Sequence, residues 1–133
     1  MTLLCAYAAT LVLFLAADMV WLGTMTGRFY RPILGDLLLA KPNLIAAGVF
    51  YFAYPVGIVI FAVLPALRGG GWQQAALWGG LFGLFTYGTY DLTNQATLRN
   101  WSTALTVVDM TWGAVLGAFA AAGATWITAR VVS

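Results

Sequence analysis

From Thr2 to Met25 the chain carries a single charged side chain, Asp18, in an otherwise apolar run. About 20 apolar residues in a helix cross the hydrocarbon core of a bilayer. Backbone in lipid must satisfy its hydrogen bonds within the segment, which leaves a helix as the fold of such a run. Three more runs of this kind lie further on, at about 43–64, 72–98 and 102–128. Across the 133 residues, 62% are hydrophobic and 8% are charged, against about 25% charged in soluble domains. The sequence therefore reads as all-α: a compact antiparallel bundle of four transmembrane helices forming a single membrane domain over residues 1–133. A cleaved signal peptide would need basic residues at its start and a shorter apolar core. The first run has neither, so it is read as a span of about 2–25.

The connections are short. Gly27 to Lys41 holds Arg28, Arg31 and Lys41. Ile33, Leu34, Leu37 and Leu38 share one face of it, and Pro32 suits a first helical turn, so a short helix lying in the interface is expected at about 30–41. Asn43 is placed to cap the second span. Pro55 predicts a kink within that span, and Pro65 its end, with a tight link after it at Arg68-Gly69-Gly70-Gly71. Only Arg99-Asn100-Trp101 separates the third and fourth spans, which makes them a hairpin. Gly79 and Gly83 form a GxxxG pattern, as do Gly113 and Gly117. Such faces allow close packing within a chain, and a homodimer seam is their other use. Trp72, Trp101 and Trp126 fall near span ends, where an aromatic belt belongs.

Arg28, Arg31, Lys41 and Arg99 lie on one side of this topology, and Arg68 and Arg130 on the other. The positive-inside rule puts the first set in the cytoplasm and both termini on the outer side. The lipid bilayer is the expected partner. A net charge of +2 is too small for a nucleic-acid surface. There is no histidine, and no haem, zinc or nucleotide motif; Cys5 stands alone, so no intrachain disulfide forms.

Three of the four acids fall inside spans. Asp18 and Asp91 lie about seven residues before the ends of their spans, and Asp109 about seven after the start of its own. At 1.5 Å per residue each is ~10 Å in from the same membrane face. Three ionised carboxylates at one depth would repel, so one must be neutral or a cation must lie between them. Gly80, Gly83, Tyr87, Asp91 and Asn94 share a stripe of the third span. Asp18-Met19-Val20-Trp21 and Asp109-Met110-Thr111-Trp112 both read D-M-x-W, too short a match to establish a duplication. The candidate polar cluster is therefore Asp18, Asp91, Asp109, Tyr87, Tyr90 and Asn94, with Trp21 and Trp112 beside the acids and Arg99 setting the local potential. It could relay protons, coordinate a hard cation through Asp18, Asp91 and Asp109, hold a polar head group, or act as interhelical glue. A small membrane enzyme acting on lipid or prenyl substrates, and a structural or assembly subunit of a membrane complex, are the alternatives.

Asp18-Met19-Val20-Trp21-Leu22-Gly23, Pro42-Asn43, Tyr90-Asp91-Leu92-Thr93-Asn94 and Val108-Asp109-Met110-Thr111-Trp112-Gly113 resemble the signature segments of a bacterial integral membrane protein family catalogued as domain of unknown function 2177. The resemblance covers nearly the whole chain. It implies a multi-pass protein of the bacterial cytoplasmic (inner) membrane and implies no reaction.

Overall fold

The computed structural model describes residues 1–132. Helix α1 runs over Thr2–Met25 and continues through a wide π turn, Thr26–Tyr30, into the single turn α2, Arg31–Leu34. The helical path ends in a 3₁₀ turn, Gly35–Leu37. The segment expected as a separate helix over 30–41 is thus a continuation of α1 that stops earlier. Gly35 takes a positive φ of 52°, which breaks the helical path there.

Helix α3, Leu44–Ile58, starts where the sequence requires. The Asn43 side chain accepts hydrogen bonds from the backbone N–H groups of Ile45 and Ala46, each at 3.1 Å, and so satisfies two of the otherwise unpaired donors of the first turn. The helix runs through Pro55 and then widens to a π turn at Val59–Val63. Pro65 does not end it. A proline with φ −59° opens the next turn, Ala66–Gly70, without strain. The break comes at glycine instead: Gly69 and Gly71 have φ of 158° and 71°. There the chain turns back into α4, Gly71–Thr97. Contacts Tyr54–Thr86 and Phe61–Phe82 set the two arms antiparallel. A short turn, with Asn100 at φ 59°, leads into α5, Thr103–Val132.

Among the described residues three helical runs are long and apolar enough to cross a membrane: Thr2–Leu37, Leu44–Thr97 and Thr103–Val132. Many large apolar side chains point outward, among them Val12, Val20, Ile45, Phe52, Phe61 and Phe85. That is the surface of a body solvated by acyl chains.

Helix α5 is the hub, packed chiefly on α4 and next on α1. Its buried face is Gly113, Leu116, Gly117, Ala120, Ala121 and Ala124, which recur at intervals of three and four residues as one helical stripe requires. Facing it on α4 are Ala75, Gly79 and Gly83. A Cβ on Gly79 would overlap the Gly117 carbonyl, one on Gly117 the Gly79 carbonyl, and one on Gly83 the Gly113 carbonyl. The two GxxxG faces therefore pack on each other within the chain. On the other side Phe14 of α1 is fully buried against the rings of Phe50, Tyr51 and Tyr54 of α3, at 6.0, 5.7 and 5.1 Å between centroids.

Candidate functional site

Where α1 and α4 end and α5 begins, bulky polar and aromatic residues replace the small ones. The helices there leave a cavity of about 460 Å³. Its wall includes Asp18 of α1, Asp91 of α4 and Asp109 of α5, so residues 73 and 91 positions apart in the chain meet at one level. Antiparallel helices with equal offsets from their ends bring this about.

The two D-M-x-W segments engage each other crosswise. Trp112 donates its indole N–H to Asp18 Oδ1 at 3.0 Å. Trp21 donates to the hydroxyl oxygen of Tyr30 at 3.0 Å, and Tyr30 donates to Asp109 Oδ1 at 2.6 Å. Each tryptophan thus serves the aspartate of the other segment, one directly and one through a phenol. Their rings lie parallel, 4.4 Å apart with 5° between planes. An i,i+3 pair puts acid and indole on adjoining surface of one helix, and the antiparallel neighbour presents the same pair reversed. Tyr51 of α3 donates to Asp18 Oδ2. A donor thus reaches each oxygen of Asp18, which is only 5% exposed.

Asp91 is different. It is fully buried, and among the described residues no hydrogen-bond donor reaches either of its oxygens. Asp109 lines the same cavity, and two carboxyls facing one volume can be joined through the donors of something held between them. Asp109 itself is partly accessible. Among the described residues no basic side chain lines the cavity. No group of three or more His, Cys, Asp or Glu side chains converges as a metal site among the described residues.

The family described as "Predicted membrane protein (DUF2177)" matches residues 3–126. The chain belongs to this DUF2177 family. Nothing matches among curated proteins or among solved structures.

Of the residues singled out in the sequence of this DUF2177 chain, Asp18, Trp21, Tyr87, Tyr90, Asp91, Asp109 and Trp112 line the cavity. Tyr87 packs edge-on to Tyr54 at 6.1 Å, and Tyr90 edge-on to Trp101 at 5.8 Å. Asn94 and Arg99 are not in the wall. Asn94 lies nearly a turn beyond Asp91, past the cavity, and Arg99 is exposed in the turn before α5, where its guanidinium keeps its hydration. Tyr30, Tyr51, Tyr54, Thr86 and Trp101 belong to the wall as well. Tyr51 and Tyr54 lie three residues apart beside Pro55, a spacing that puts two side chains on one helical face. Tyr54 and Thr86 share a 2.6 Å hydrogen bond that ties α3 to α4.

Proposed function

We propose that this protein binds a positively charged ligand in the intramembrane cavity between α1, α4 and α5. One observation carries the reading: three carboxylates and a wall of tyrosine and tryptophan rings face a single volume of about 460 Å³ that has no basic residue in its lining. Cavities of roughly 300–1,000 Å³ hold small molecules. Carboxylates supply the counter-charge, and the faces of indole and phenol rings attract cations. Acids this deep are costly unless their charge has a use or a partner.

The surrounding reading is of a multi-pass protein in a bacterial inner membrane with four crossings. The run Leu44–Thr97 spans 54 residues, about twice what one crossing needs, and it doubles back at Gly69–Gly71. The cavity then opens toward the cytoplasmic face, on the side of Arg28, Arg31, Lys41 and Arg99, with the termini on the outer side.

Thermal unfolding in detergent tests the binding reading, with benzyltrimethylammonium and benzoate compared at equal ionic strength. The cation should raise the midpoint in wild type and not in Asp18→Asn/Asp109→Asn, by mass action on the folded state. Benzoate should leave both unchanged. Equal responses to cation and anion would overturn the proposal.

A further inference from the structure

The identity of the ligand can be narrowed, on the reading that the cavity takes a cation, from what its wall lacks. Asp91 is fully buried with both oxygens unpaired, and it borders the cavity that Asp109 also lines. Asp109 has its Oδ1 occupied by Tyr30. This corner is therefore rich in acceptors and short of donors. A buried acceptor left unpaired is costly, and more so when charged. A ligand that supplies only charge leaves that deficit in place. A ligand carrying N–H groups on its charged atom removes it.

The rest of the wall suits a hydrocarbon body attached to that charged atom. Leu22, Leu34, Leu38 and Leu105 contribute apolar surface, and the volume of about 460 Å³ is far more than a bare ion occupies. Leu34 and Leu38 come from the segment after α1, which covers this side of the cavity. A phosphate attached to the ligand would find no basic partner in the wall.

We propose that the cavity takes a protonated lipophilic amine, its N–H groups directed at Asp109 and Asp91 and its hydrocarbon part against Leu22, Leu34, Leu38 and Leu105. The acid pair chooses among cations by demanding hydrogen bonds. A primary ammonium has three donors to give, whereas a quaternary ammonium has none.

Isothermal titration of the purified full chain in detergent at neutral pH separates these cases. The probes are benzylamine, benzyltrimethylammonium, sodium chloride and magnesium chloride. A short-chain phosphatidylethanolamine is added to distinguish a free amine from a lipid head group bearing one. Benzylamine should bind about tenfold more tightly than its quaternary analogue, the ratio that one charge-assisted hydrogen bond gives. Asp91→Asn should abolish that preference, and Asp36→Asn, an exposed acid outside the cavity, should keep it. Should Asp91→Asn fail to fold, Asp109→Asn must lose the preference in its place. Binding of the phosphatidylethanolamine with the same dependence on Asp91 would support the amine chemistry and name its source as lipid; weak binding of it beside tight benzylamine would support a free amine. Quaternary binding as tight as the amine, or binding of the metal salts alone, would overturn the donor requirement while leaving a cation site. No binding by any cation would remove both the amine and the cation site.

Discussion

Replacing Gly117 with alanine should loosen the bundle at its tightest seam. The added methyl would overlap the Gly79 carbonyl oxygen and come to 3.0 Å from the Gly79 carbonyl carbon and 3.4 Å from Gly83 Cα. These are backbone atoms of a neighbouring helix and cannot rotate away. An ordinary carbon–oxygen contact is about 3.3 Å, so α4 and α5 must separate by on the order of 1 Å. A gap of that size forfeits a quarter to a half of each dispersion contact along the seam, and overpacking of this kind typically costs about 1–3 kcal/mol. Alanine recovers up to about 1 kcal/mol in helix propensity. With that recovery in full the expected net loss is about 0–2 kcal/mol against wild type, and about 1–3 kcal/mol against an unhindered glycine-to-alanine change. Gly48→Ala is the control, because a Cβ there meets nothing within 4 Å; it should be neutral or gain up to about 1 kcal/mol. Thermal unfolding in one detergent, followed by circular dichroism, compares the two variants with wild type. Gly117→Ala as stable as Gly48→Ala would refute the close α4–α5 contact.

The geometry carries two more expected outcomes. A double-mutant cycle of Asp18→Asn and Trp112→Phe should give a coupling of about 1–2 kcal/mol for the indole–carboxylate bond, read from unfolding midpoints. Coupling indistinguishable from zero would mean that Trp112 does not hold Asp18. In a Cys5→Ser background, cysteines replacing Arg28 and Arg99 should react with a membrane-impermeant maleimide only after the cells are opened, and one replacing Arg68 should react in intact cells. Arg68 and Arg99 labelling from the same side would contradict a double crossing by Leu44–Thr97.

Much of this fold is written in local chemistry. A long apolar run has one way to satisfy its backbone in lipid, Asn43 has a side chain suited to one end of a helix, and glycines four apart mark where two helices can touch. The depth of Asp18, Asp91 and Asp109 comes from counting, because rise per residue is fixed. Other features depend on packing that no local pattern encodes. Pro65 looks like a terminus, yet its φ suits the turn after it, and the reversal waits for Gly69. Tyr51 reads as one aromatic among several on α3, and only the approach of α1 shows that its hydroxyl meets Asp18. The crosswise exchange of Trp21 and Trp112 was hidden for the same reason: each indole lies beside its own aspartate in sequence and bonds toward the other's in space. Asn94 shares a stripe with Asp91, but the stripe runs past the end of the cavity.

If the acidic, aromatic cavity holds a positive charge, benzylamine must bind through its carboxylates. Equilibrium titration of benzylamine into wild type and into Asp18→Asn/Asp109→Asn, followed by tryptophan fluorescence with Trp21 and Trp112 in the cavity wall, measures this. Saturable quenching is expected in wild type and should weaken at least about tenfold in the double variant, a loss of about 1.4 kcal/mol or more in binding free energy. Unchanged titration curves in a folded double variant would contradict it.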